Sequence, residues 1–110
     1  MKILILDEDR RYADSLMHLA RDLGYRATSP AGDFCVYREY DFVVYGLGLN
    51  SEDIKLMNLK TKFPRTEWIG NGEKYIGQSW VDHVSLARMN GFDFIDFLDD
   101  LKEERRFAGE

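Results

Sequence analysis

Cysteine is almost missing from this chain. Cys35 stands alone, which excludes an internal disulfide and a Cys-x-x-Cys metal or redox site. A reducing, intracellular compartment is the matching expectation. Histidine is nearly as scarce: His18 and His83 lie far apart in sequence, without metal-ligand spacing. Basic charge is in the minority, with 15 Lys and Arg against 20 Asp and Glu for a net charge of −5. That disfavours direct contact with nucleic acid or an anionic membrane, because phosphate binding needs a basic face. The short basic runs Arg10–Arg11 and Arg105–Arg106 do not make a patch. No apolar run approaches the ~20 residues of a membrane span, and the N-terminus has no signal-peptide pattern. A cytoplasmic protein is expected. Proline occurs only at Pro30 and Pro64, and no linker, repeat or low-complexity tract is visible.

What is present is the composition of a folded protein, 45% hydrophobic and 14% aromatic. At 110 residues the chain is expected to form one domain, 1–110, around one core. KILIL (2–6) reads as a strand buried on both faces. Residues 10–23 carry Tyr12, Leu16, Leu19, Ala20 and Leu23 on one helical stripe, with Gly24 as its stop and His18 on the solvent side. YRATSP (25–30) suits a second strand, and 31–40 has room for only two helical turns. DFVVY (41–45) is a β-rich buried strand that runs into the GLGLN turn. Ser51 can cap a helix over 52–62, where Glu52 and Asp53 favour the positive end of the helix dipole. TEWIG (66–70) is a fourth strand, and glycines interrupt 71–79 so that little helix fits there. WVDHVSLA (80–87) is a fifth strand candidate. The final helix, 90–105, starts at Asn90 and Asp93 with capping-box spacing, and Met89 can staple to Phe94. Phe94, Phe97, Leu98 and Leu101 form its apolar arc, and Asp93, Asp96, Asp99, Asp100, Glu103 and Glu104 cover the rest.

Alternating strands and helices predict an α/β three-layer sandwich with a mostly parallel five-stranded sheet, flavodoxin-like, with shortened second and fourth helices. Function in such sheets gathers at the carboxyl ends of the strands. That rim would collect Asp7–Asp9, Gly46–Asn50, Gly70–Gly72 and Ala87–Asn90. Three adjacent acids, Asp7, Glu8 and Asp9, sit where the first strand meets the first helix. Their mutual repulsion must be relieved there by a cation or by solvent.

The strand 3–6, the DED cluster, the helix ending in Gly24–Tyr25 and the DFVVY strand together resemble the receiver domain of two-component response regulators. The resemblance implies an acidic pair holding Mg²⁺, an acceptor aspartate after the third strand, a Ser or Thr after the fourth and a lysine after the fifth. Asp7 and Glu8 match the acidic pair. Gly46 falls at the acceptor position, Asn71 at the hydroxyl position, and Arg88 in the lysine segment. An arginine does not replace a lysine at a compact site, so the phosphorylation cycle has lost its parts.

The chain therefore reads as a pseudo-receiver, non-catalytic and without a cofactor. Asp7–Asp9 are either a solvated loop with an N-cap or a weak Mg²⁺ site at Asp7 and Glu8. A protein partner, signalling or transcription-regulatory, would meet Tyr75 and Trp80 or the acidic face at Asp96, Asp100 and Glu103. The alternative is an enzyme. LDED also resembles the D-x-D of haloacid-dehalogenase-like phosphatases, which implies Asp7 as nucleophile, Asp9 as general acid and base, and Lys74 on the phosphate. In that reading Asn71 stands where an acid should hold Mg²⁺, and Arg11 stands where Thr or Val is usual.

Overall fold

The computed structural model describes residues 1–29, 39–46 and 61–107, and the side chains of all of these except 105–107. The helices expected at 31–40 and 52–62, the GLGLN turn beyond Gly46, and Cys35 lie outside the described residues or almost wholly so. The described elements are β1 (Lys2–Leu6), α1 (Arg10–Asp22), β2 (Arg26–Thr28), β3 (Phe42–Tyr45), β4 (Glu67–Asn71), a 3₁₀ turn (Glu73–Tyr75), β5 (His83–Ser85) and α2 (Gly91–Phe107). All four strand pairings are parallel, in the order β2-β1-β3-β4-β5. This is the flavodoxin-like order, with its crevice beyond the carboxyl ends of β1 and β3.

The strand pleat sorts the aliphatic residues into two cores. Ile3 and Ile5 are in register with Phe42 and Val44, and Val44 with Ile69. These residues share one core with Ala13, Leu16 and Ala20 of α1 and Phe94, Leu98 and Leu101 of α2. Leu4, Leu6, Val43, Tyr45 and Trp68 face the other way, where Tyr40, Phe63, Tyr75, Trp80 and Val81 cover them. The expected helical arc of α2 is confirmed at Phe94, Leu98 and Leu101, while Phe97 is half-buried and meets the His83 ring edge-on. On α1 the buried stripe differs from expectation. Ala13 is buried and Leu23 is exposed, because Leu23 is already the C-cap.

Both ends of α1 are chemically defined. Asp9 is its N-cap and accepts from the Tyr12 backbone N–H at 3.2 Å. At the other end Gly24 (φ 92°) makes a Schellman closure, with Gly24 N–H donating to Arg21 O and Tyr25 N–H to Ala20 O. Asn90 Oδ1 accepts from the Asp93 N–H at 2.8 Å and caps α2. Between β4 and β5 the chain makes only the 3₁₀ turn, in keeping with the shortened fourth helix. Gly70 is required there: a Cβ would stand 2.5 Å from the Tyr75 Cβ. No helix among the described residues is long and apolar enough to cross a membrane.

Candidate functional site

The carboxyl ends of β1, β3 and β4 and the segment after β5 bring Asp7, Gly46, Asn71 and Arg88 toward one rim, as the sequence expects. Their chemistry there is an ion pair. The Arg88 guanidinium grips the Asp7 carboxylate with two roughly parallel bonds, Nη1 to Oδ2 at 2.8 Å and Nη2 to Oδ1 at 3.1 Å. Asp9 Oδ2 lies 3.9 Å from Nη2. The Asp7 side chain is only 2% exposed and the Arg88 side chain 28%. The Asp9 backbone N–H also donates to Asp7 Oδ1 at 2.9 Å, while Glu8 is exposed. The acidic cluster is thus relieved in two ways: Asp7 by an internal cation, Glu8 by solvent.

Beneath the guanidinium lies the Tyr12 ring, 3.7 Å from the Arg88 Cζ. Burial works against the charge on Arg88. The hydrogen bonds and charge of Asp7, with Tyr12 and Asp9 adding to them, outweigh burial and hold its pKa above the ordinary arginine value. Burial pushes the Tyr12 hydroxyl pKa up, while its bond from Asn71 and the nearby Arg88 pull it back. Tyr12 and Asn71 also hold one residue between them. Tyr12 Oη donates to Met89 O at 2.5 Å, and Asn71 Oδ1 accepts from the Met89 N–H at 2.9 Å. Asn71 Nδ2 in turn donates to Tyr12 Oη at 2.7 Å.

Gly46 is more than a missing aspartate. A Cβ built on it would stand 2.1 Å from Asp7 Oδ2 and 3.5 Å from Arg88 Nη1. Its N–H donates to Leu6 O at 2.8 Å and its carbonyl accepts from the Tyr75 hydroxyl. The ion pair therefore fills the space that a side chain at position 46 would need.

The other candidates fall elsewhere. Tyr75 is 5% exposed, so it cannot serve as the contact surface expected of it. Gly70 lets it drop against the sheet, and its ring packs edge-to-face with Tyr45 and Trp80. Trp80 is half-buried in the same cluster, which also includes Trp68. Asp96, Asp100 and Glu103 are exposed on α2. Lys74 lies over the Tyr75 ring at 5.1 Å, and His83 Nε2 is paired with Glu67 Oε1 at 3.0 Å. Asp7 and Asp9, the acids of the phosphatase alternative, are committed to Arg88 and to the α1 cap. Tyr12 and Met89, read from sequence as core and staple residues, are the parts of the site that sequence reasoning missed. Only the hydroxyl on an otherwise apolar stripe marked Tyr12.

No family model and no curated protein matches the chain. Solved structures do. A protein described as a pilus assembly protein (CpaE) of Burkholderia thailandensis is 21% identical, with TM-score 0.66, over 94% of this chain and 98% of its own. The Thermotoga maritima response regulator TrrA, solved with Mg²⁺ and BeF, is 14% identical, with TM-score 0.70, over 93% and 96%. The Thermotoga maritima response regulator DrrB is 17% identical, with TM-score 0.70, over 94% of this chain and 53% of its own.

The divalent cation that such a fold implies does not suit the residues present. Both Asp7 oxygens accept from a guanidinium, Gly46 supplies no carboxylate, and Glu8 points to solvent rather than completing a pair. Among the described residues no cluster of three or more His, Cys, Asp or Glu could hold a metal. The chain has the five-stranded parallel α/β fold of receiver domains.

Proposed function

We propose that the chain, over residues 1–110, is a pseudo-receiver: a cytoplasmic domain that takes no phosphoryl group, catalyses no reaction, and acts by binding a signalling or transcription-regulatory protein. The observation that carries this reading is Gly46. Phosphoryl transfer to a receiver needs a carboxylate in line with the phosphorus, a cation on the phosphate oxygens and a hydroxyl to respond. Position 46 has no carboxylate and no room for one, since Asp7 Oδ2 lies 2.1 Å from where its Cβ would be. Asn71 is spent on Tyr12 and Met89 rather than offering a hydroxyl.

The surface supports a protein partner. Asp96, Asp100 and Glu103 line an exposed acidic face of α2, and Phe92 at its start is 83% exposed; Trp80 is half-buried on the other side of the sheet. With a net charge of −5, a basic protein surface fits better than nucleic acid or a membrane. Acetyl phosphate with Mg²⁺, followed by mass spectrometry, is expected to leave the mass unchanged. An aryl phosphate incubated with wild type and Asp7→Asn is expected to give equal, background hydrolysis. A stable aspartyl phosphate, or Asp7-dependent turnover, would overturn the reading.

A further inference from the structure

We infer that Arg88 is the resident cation of the strand rim. Its guanidinium stands in for the divalent ion that the fold implies and fastens the β5–α2 loop to the end of β1 in a single position. The burial of Asp7 is the first ground. A carboxylate whose side chain is 2% exposed needs a neutralising partner, and Arg88 is the cation that touches both its oxygens.

Shape is the second. The Asp7 carboxylate meets the edge of the guanidinium with two bonds while the Tyr12 ring covers its face, 3.7 Å from Cζ, a pairing of contacts that suits a planar, forked monocation. A compact divalent ion would instead need several oxygen ligands around it. The third ground is position 46, where the absence of a side chain leaves space for Asp7 and, 3.5 Å away, for Nη1. The fastening has a second point in the next residue, because Met89 is held through both its N–H and its carbonyl by Asn71 and Tyr12. Loop movement therefore requires a buried carboxylate to lose its counter-ion and the Met89 backbone to lose a bond on each side of its Cα.

The pocket is accordingly a guanidinium site occupied by the chain's own side chain, and its test needs no partner. Arg88→Ala is expected to lower Tm by on the order of 10 °C. Methylguanidinium at millimolar concentration should restore part of that loss with saturation, and methylammonium should not. Arg88→Lys, which keeps charge without the fork, should recover less than half of it. Wild type should show no saturable Tm change with Mg²⁺. Should Arg88→Ala fail to fold, nitrogen-15 spectra of wild-type arginine side chains decide. Separate, slowly exchanging Nη signals for Arg88 support a clamped guanidinium, and a single averaged signal overturns it. Arg88→Ala melting like wild type, equal rescue by the two cations, or saturable Mg²⁺ binding by wild type would each overturn it as well. None of these failures would restore an acceptor at Gly46, so the pseudo-receiver reading stands or falls separately.

Discussion

Single atoms decide most of the chemistry at the rim. Gly46→Ala puts a methyl group 2.1 Å from Asp7 Oδ2, against a carboxylate held by three hydrogen bonds, two from Arg88 and one from the Asp9 N–H. The side chain must move or the strand end must shift, at an expected cost of about 1 to 3 kcal/mol or more. Urea denaturation of the variant checks it, and an unchanged midpoint would mean the rim is looser than described. Tyr25 gives the opposite sign. Its buried hydroxyl has no hydrogen-bond partner among the described residues. Removing a buried unsatisfied group relieves a cost, so Tyr25→Phe should be neutral or stabilising by up to ~1 kcal/mol. The same residue predicts a pH effect. Burial first, and then the charge of Asp99, raise the Tyr25 pKa above its ordinary value of 10.0. Above that value the unfolded chain binds fewer protons than the folded one, so stability is full below it and falls as pH rises through the folded pKa. Tyr12, raised chiefly by burial, acts in the same direction. The alkaline limb of a stability profile should be shallower in Tyr25→Phe than in wild type. At this scale the sequence is least informative: adjacency showed three acids in a row, but not which one is buried, because the neutralising cation lies 81 positions away.

Elements were far more legible. The expected strands KILIL and DFVVY are found as Lys2–Leu6, buried from Ile3 on, and Phe42–Tyr45, buried throughout, since their aliphatic and aromatic runs have no polar face to offer solvent. Gly24 and Asn90 end and begin helices where their chemistry says they should. The apolar arc of α2 yields a direct contrast. Leu98→Ala is expected to cost about 2 to 5 kcal/mol through lost burial and a cavity, and Asp96→Ala within ~0.5 kcal/mol of zero. Leu98 is fully buried and Asp96 exposed. Equal losses in denaturant would reverse the assigned face. Removing the cap, as Asn90→Ala, should cost about 1 kcal/mol. The misreadings share a cause. Leu23 continued a helical period that the cap had already ended, and Tyr75 looked like a surface ring because Gly70, five positions earlier and one strand end away, was not seen as the hollow that receives it. Helical period and glycine count describe one segment at a time, whereas both outcomes depend on what packs across segments.

For the molecule as a whole, strand order is set by packing that the alternation of elements does not show. The parallel sheet and the location of its rim did follow from that alternation, because parallel strands need crossovers and function gathers at their carboxyl ends. The convergence of Asp7, Gly46, Asn71 and Arg88 was legible in outline for that reason. The bond pattern joining them was not, since it rests in part on Tyr12 and Met89, which sequence reading had assigned to an apolar helix stripe and a hydrophobic staple. The resulting rim is neutralised from within: Arg88 on Asp7, Asn71 and Tyr12 on Met89, and Tyr75 on Gly46. On the pseudo-receiver reading proposed above, the domain presents one surface rather than switching between two, and binding of a partner is expected to show no dependence on phosphoryl donors. Amide proton–nitrogen spectra of the wild-type domain, titrated with beryllofluoride and Mg²⁺, test this most directly. Unmoved signals for Asp7, Gly46, Asn71 and Met89 throughout the titration are the expected result. Shifts at those residues that saturate, and spread to α2, would contradict it.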